Sequence, residues 1–255
     1  MSLKPLPKIM VAPNGARRTK TDHPALPVTI EETVETALAC FNAGAGGLHA
    51  HVRGSNQEHV LDAGLYTELL AEMSAKVPQM QVQITTEAVG IYSPEQQRAL
   101  VRDVMPTSVS ISLKEMLSEG EDAECSSFYL WAADNQIAVQ HILYEPAEVS
   151  LLSGLVKDGS IGGNNLQLLF VLGRYSVGQQ SNPEDLLPFL EGFGTSGLTA
   201  DWAICAFGKD ETACLAAAIK AGGKARVGFE NSLWHEDGTL AKDNAERVSA
   251  IAELI

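Results

Sequence analysis

Basic residues are scarce in this chain: 18 Lys+Arg stand against 32 Asp+Glu, a formal net charge of −14. No nucleic-acid partner is expected, because phosphate backbones are held by clustered cations. Cysteine is sparse as well. Cys40, Cys125, Cys205 and Cys214 are scattered without a CxxC pair, which excludes a zinc ribbon or a disulfide framework and reads as reduced thiols in a cytoplasmic setting. No apolar run approaches the roughly 20 residues that cross a bilayer, and Met1–Pro5 lead into no secretory apolar region, so no membrane partner is expected. No Pro/Gly/Ser-rich linker or charge run divides the chain, and 1–255 reads as a single domain. No GxGxxG follows the first apolar run, which argues against an open doubly wound sheet.

What is present is an alternation. Eight short β-rich runs are expected as strands, namely 9–13, 47–52, 81–86, 108–113, 137–144, 166–172, 201–207 and 225–230. Helical patterns lie between them, over 31–43, 61–76, 94–103, 123–134, 146–157, 183–191, 211–221 and 244–255. Thr29 with Glu32 forms a capping-box signal, and Ser93-Pro94 and Asn182-Pro183 put proline in a first helical turn behind a capping side chain. Alternating β and α implies a parallel sheet with right-handed crossovers, and eight repeats close a (β/α)8 TIM barrel.

The strands also carry an unusual parity. Side chains i and i+2 of a strand share a face. Ser108-Val109-Ser110-Ile111-Ser112-Leu113 alternates strictly, Gln83 and Thr85 flank Ile84, and Arg226 and Glu230 share a parity on the last strand. The outer face of a barrel packs on apolar helices, so the polar parity should face the lumen and its C-terminal mouth, where barrel enzymes work. His49 and His51 lie on that parity in Gly46-Gly47-Leu48-His49-Ala50-His51-Val52. The last strand closes the barrel one strand away from the second, which brings Glu230 within reach of both imidazoles. Two histidines and a glutamate with an open fourth position form a catalytic zinc arrangement; an ion pair of Glu230 with Arg226 is compatible with it. Of the other histidines, His141 is expected as a hydrogen-bonded core residue or a fourth ligand, His59 and His235 as solvated loop residues, and His23 as a residue that could cover the site. Lys114 is either an anion-holding group at the mouth or a solvated lysine.

Several segments resemble the β-keto acid cleavage enzymes: Pro13-Asn14-Gly15-Ala16-Arg17-Arg18-Thr19, Gly47-Leu48-His49-Ala50-His51-Val52-Arg53, Gln83-Ile84-Thr85-Thr86 with Ala88-Val89-Gly90, and Gly222–Asn231. Phe170–Gly173 and Trp202–Gly208 extend the resemblance over nearly the whole chain. It implies a TIM barrel holding Zn2+ on His49, His51 and Glu230. It also implies condensation of a β-keto acid with acetyl-CoA to give acetoacetate and a new CoA thioester, and a homo-oligomer (tetramer or dimer). Thr85 and Ser110, with Ser112 on the same face, would bind the substrate, and Arg226 would serve the acid–base steps. Two positions depart from the family's prototype. Asn231 stands where an acidic residue follows the zinc glutamate, and an amide takes no proton at neutral pH. Arg17 stands where a glutamate meets the substrate's amino group, and an arginine favours a carboxylate instead. Glu87, on the parity of Gln83 and Thr85, is the preferred replacement base, with Glu145 as the alternative. Gly173-Arg174-Tyr175-Ser176-Val177-Gly178 also departs from the family's glycine- and proline-rich turn. Two other readings stand beside this one: a metal-dependent carbon–carbon lyase of aldolase type, and a zinc-binding homologue without turnover.

Overall fold

A computed structural model describes residues 3–118 and 122–255. The chain runs β1 (Ile9–Val11), α1 (Ile30–Asn42), β2 (Gly47–Ala50), α2 (Ala63–Lys76), β3 (Gln81–Thr85), α3 (Pro94–Val104), β4 (Ser108–Ser112), α4 (Leu113–Met116) and α5 (Asp122–Asp134). It continues through β5 (Ala138–Leu143), α6 (Pro146–Lys157), β6 (Leu166–Leu172), α7 (Leu187–Ser196), β7 (Ala200–Ala206), α8 (Glu211–Lys220), β8 (Lys224–Val227) and α9 (Asn244–Ala252). All eight strands are parallel and close in chain order. The ring is sealed by β8 against β1, with Met10 opposite Arg226. This is the TIM barrel that the alternation implies.

Local chemistry sets the element ends. The Glu32 amide donates to Thr29 Oγ1 (3.1 Å) and the Thr29 amide to Glu32 Oε2 (3.3 Å), the reciprocal box that satisfies two orphan donors of α1. Ser93 and Gln96 repeat it at α3 behind Pro94. Two elements differ from expectation. The segment from Pro183 opens as a 3-10 turn before α7, which extends to Ser196 with Pro188 in its first turn. The one-turn α4 is absent from the sequence reading; the Ser112 hydroxyl caps it by accepting from the Glu115 amide at 3.2 Å.

The barrel wall separates two interiors. Leu48, Ile84, Val109, Ile111, Leu168, Phe170 and Ile204 point outward and form the main apolar core with the helices. The inward residues follow from register, since paired residues on adjacent parallel strands share a face: His49 opposite Gln83, Thr85 opposite Ser110, and Ser110 opposite Gln140. On the β5–β7 side the lumen turns apolar, with Ile142, Leu169, Val171, Ala203 and Cys205. One half of the lumen is thus wired with hydrogen bonds and the other is filled with hydrocarbon. Among the described residues no helix is long and apolar enough to cross a membrane.

Candidate metal centre and active site

His51 and Glu230 lie just beyond their strands, not within them as expected. β2 ends at Ala50 and β8 at Val227. Gly228 turns the chain at φ 140, where a Cβ would stand 2.5 Å from the Ala12 carbonyl oxygen, so no side chain fits. The turn is pinned by its backbone. The Gly228 amide donates to Glu211 (3.3 Å), the Phe229 amide to Asn244 (2.9 Å) and the Glu230 amide to the Ala12 carbonyl (3.0 Å), while Arg18 donates to the Phe229 carbonyl. Glu211, in turn, takes a 2.6 Å bond from the fully buried Arg247. Helices α8 and α9 therefore hold the loop that delivers Glu230.

Three donor atoms converge. His49 Nε2 and His51 Nε2 are 3.2 Å apart, and Glu230 Oε2 lies 3.5 and 3.7 Å from them. Ligands bound tetrahedrally at about 2.0–2.2 Å stand roughly 3.3–3.6 Å from one another, so the triangle has the dimensions of a filled site. The protonation states agree. The Leu168 carbonyl can only accept, so Gln140 presents Nε2 to it (3.1 Å) and Oε1 to Gln83. Gln83 then donates through Nε2 (3.0 Å) and turns Oε1 to His49 Nδ1 (2.9 Å). His49 must carry its proton on Nδ1, which leaves Nε2 bare. Burial, then the Arg226 charge, lowers His49 to about 4, and burial and the neighbouring His59 push His51 well below its usual value; both rings are neutral at pH 7. Burial works to raise Glu230, but the Arg226 guanidinium foremost outweighs it and keeps the carboxyl below its ordinary range. Oε1 accepts from Arg226 Nη2 at 3.1 Å, whereas Oε2 has no hydrogen-bond partner among the described residues. A lone pair on His49 Nε2 and an anionic oxygen on Glu230, with His51 Nε2 beside them, are a donor set for a dication. The residues fit a metal.

A cleft open at the barrel mouth lies over this triangle; its lining includes Arg17, Thr85, Glu87, Tyr144, Arg174 and Arg226. Arg226 is buried, and its Nε and Nη1 have no hydrogen-bond acceptor; a cationic donor left open at a pocket wall suits an anion. Burial first, then the Glu230 charge, pushes the Glu87 carboxyl up to about 7. Its Oε2 is 3.9 Å from His51 Nε2, and its Oε1 faces Arg174 Nη2 at 3.4 Å. Arg17 is exposed on the cleft wall. Thr85 lines the cleft and accepts from the Glu87 amide at 3.2 Å. Ser110 is buried behind it, 3.4 Å from His49 Nδ1. Ser112 caps α4. Asn231 is buried with neither side-chain polar atom hydrogen-bonded, and is not among the residues lining this cleft.

The other histidines divide differently from expectation. His141 faces outward against Tyr129, with ring centroids 5.1 Å apart, and its Nδ1 is unpaired. It is a core residue turned away from the metal triangle. His23 is tied to the Ala241 carbonyl (3.0 Å) and packs on Phe229, folding the β1–α1 loop down beside the Glu230 turn. His235 is half-buried between Glu246 and Arg247. His59 is not solvated. It is buried, with Nδ1 3.3 Å from His51 Nδ1, because residues 53–59 fold back on themselves through an Arg53–His59 bridge. Gly54-Ser55-Asn56 is the turn signal that locates this reversal. Lys114 is exposed, 3.8 Å from Glu145 and over the Tyr175 ring, and Glu145 is itself exposed beside it.

The comparisons with known proteins point the same way. The family model described as beta-keto acid cleavage enzyme matches residues 8–255. The chain belongs to this family. Among curated β-keto acid cleavage enzyme relatives, the 3-keto-5-aminohexanoate cleavage enzyme of Acetoanaerobium sticklandii is 26% identical, over 94% of this chain and 88% of its own length. The 3-oxoadipate:acetyl-CoA acetyltransferase of Cupriavidus necator is 26% identical, over 96% of this chain and 87% of its own. Among solved structures, the apo structure of ObcA superposes with a TM-score of 0.71 at 18% identity over 90% of this chain, which spans 61% of that one. That likeness supports the barrel.

Gly15 offers a direct check on the geometry. It sits at φ +62, and a Cβ there would stand 2.6 Å from Glu230 Cγ. Gly15→Ala is expected to cost about 1–2 kcal/mol for the left-handed backbone and to displace Glu230 from the triangle. Affinity for a divalent metal should fall while the far-ultraviolet circular dichroism spectrum is retained. Unchanged affinity in a chelator competition would show that Glu230 is not held where the geometry puts it.

Proposed function

We propose that this chain is a zinc-dependent β-keto acid cleavage enzyme that condenses a β-keto acid with acetyl-CoA and releases acetoacetate and a new CoA thioester. The observation that carries this reading is the convergence of His49 Nε2, His51 Nε2 and Glu230 Oε2 under a cleft walled by an Arg226 with N–H groups unpaired among the described residues. The family membership and the relatives' names supply the reaction class.

His49, His51 and Glu230 hold the cation. When bound, it supplies Lewis acidity toward the β-keto oxygen. Arg226 directs its unpaired N–H groups at the negative charge that develops when the carbon between keto and carboxylate groups loses its proton. Glu87 takes that proton, in place of the acid that Asn231 replaces; its raised proton affinity suits a base working near neutrality. Thr85 positions the substrate from the cleft wall, with Ser110 and Ser112 supporting it from behind through the His49 contact and the α4 cap. A panel of β-keto acids assayed with and without acetyl-CoA, with acetoacetate as the product followed, tests the reading. Acetoacetate formed only in the presence of acetyl-CoA supports it. Cleavage that proceeds without the thioester would replace it with aldolase-type chemistry, and binding without turnover would leave a binding protein.

Arg17 sets the substrate expectation. A guanidinium at the cleft wall disfavours an ammonium and pairs with a second carboxylate. kcat/KM for a 3-oxoadipate-like dicarboxylate should exceed that for 3-keto-5-aminohexanoate by about tenfold or more, the worth of one charged hydrogen bond. Arg17→Glu should reverse the order. A wild-type preference for the cationic substrate would remove Arg17 from substrate selection.

A further inference from the structure

The metal triangle needs a bare nitrogen from each histidine. Gln140 and Gln83 settle this for His49, starting from a backbone carbonyl. Among the described residues no side-chain amide hydrogen-bonds His51 Nδ1. Its neighbour there is His59 Nδ1 at 3.3 Å, and two ring nitrogens at that distance share one proton, so one ring donates and the other accepts.

The direction is decided on the far side of His59. Its Nε2 lies 2.9 Å from the Glu87 carbonyl oxygen. A carbonyl only accepts, so His59 Nε2 carries the hydrogen; a lone pair aimed at that oxygen would repel it. The ring is buried, and among the described residues its nitrogens meet only His51 Nδ1 and the Glu87 carbonyl, so it is a neutral imidazole whose one proton is already placed on Nε2. His59 Nδ1 is therefore an acceptor, and the only proton available between the two rings belongs to His51 Nδ1. His51 Nε2 is left bare, facing His49 Nε2. The ring of His59 is held for this task. It is 4% exposed, its hairpin is closed by the Gly54 amide on the Glu58 carbonyl (2.8 Å), and Tyr92 meets it edge-on.

We propose that His59 is a positioning residue that locks the ring proton of His51 on Nδ1 and so creates the second histidine donor of the metal site. It does this by relaying the polarity of the Glu87 carbonyl through its own ring. The purpose rests on the zinc reading above; the proton placement does not. It also ties one donor of the metal site to the backbone of the residue assigned as base. A displacement of Glu87 would release His59 Nε2 and, with it, the tautomer of His51.

Two measurements on the intact chain separate these points. Nitrogen-15 shifts of the histidine rings in metal-free wild-type protein are expected to show His51 protonated at Nδ1 and bare at Nε2. The reverse assignment overturns the proposal, whatever the protein does with zinc. Zinc affinity is then measured by chelator competition for wild type, His59→Leu and His59→Gln. The glutamine can present its oxygen to His51 and its NH2 to the Glu87 carbonyl, with the polarity of the imidazole it replaces. His59→Leu should weaken binding about 10–100-fold, the usual range for an outer partner of a ligating histidine, and His59→Gln should recover most of it. Equal affinity in wild type and His59→Leu overturns the proposal, as does a glutamine variant as weak as the leucine one. A wild type that binds no zinc sinks the metal reading, while the ring shifts still decide the role of His59. If His59→Leu does not fold, the wild-type shifts and the glutamine variant decide.

Discussion

Replacing His49 with alanine is expected to strip the metal from the purified protein and to lower turnover by about 10³-fold or more, since a Lewis acid supplies several kcal/mol and each 1.4 kcal/mol is tenfold. One of three donor atoms disappears, and the remaining pair, His51 Nε2 and Glu230 Oε2 at 3.7 Å, cannot hold a cation against a chelator. The barrel should survive. Gln83 loses its partner, which costs about 1–3 kcal/mol for a buried polar group, but the main core of Leu48, Ile84, Val109 and Phe170 lies on the opposite face of the strands. Metal analysis, circular dichroism and the acetoacetate assay on the same sample check all three points. Full zinc occupancy after His49→Ala combined with His51→Ala would show that the metal sits elsewhere.

Glu87→Gln should be nearly as damaging. Loss of a general base lowers kcat by about 10²–10⁴, and glutamine keeps the shape of the side chain. The pH profile carries the diagnosis. A carboxylate base works only when ionised, so the rate rises with pH through its pKa, and Glu87 supplies that acidic limb. Burial and the charge of Glu230 push Glu87 up to about 7, while a dication beside His51 pulls it down. The limb of the loaded enzyme is expected at or below that value, and it should vanish in Glu87→Gln. An unchanged profile would remove Glu87 as the base. Asn231→Asp is the companion measurement. With Glu87 in the role it should be neutral or harmful, because a second carboxylate next to Glu230 disturbs the donor set. A large rate increase would restore position 231 to the chemistry.

The barrel was legible because its signals are local. The capping box at Thr29 and the Ser93-Pro94 pair mark helix starts, and the Ser–apolar alternation of β4 fixes which face looks inward. The convergence of His49, His51 and Glu230 was legible for a related reason: register and closure place β8 within reach of β2, whichever residue ends each strand. The assigned ends were too long at His51 and Glu230, yet Gly228 and the bonds around it bring the carboxylate back into line. His59 was missed because its environment depends on a chain reversal over residues 53–59, which no periodicity announces. Arg174 belongs to a loop whose sequence departs from the family, and its position opposite Glu87 depends on how that loop folds across the mouth. α4 escaped because one turn of helix carries too little pattern to stand out from its flanking strand.

The three donor atoms come from opposite ends of the chain, and β8, which carries Glu230 into place, is seated by pairing with β1. During synthesis, which proceeds from the N-terminus, the imidazole pair emerges early and waits for a carboxylate that arrives with the last strand. Two neutral rings on a growing chain offer little discrimination among divalent ions. A cation that requires all three donors would therefore load only after closure. A cation bound to the closed form alone draws the folding equilibrium toward it by mass action. Zinc would thus act as a latch across the seam between the first and last strands, and a chain clipped before Glu230 would gain nothing from it.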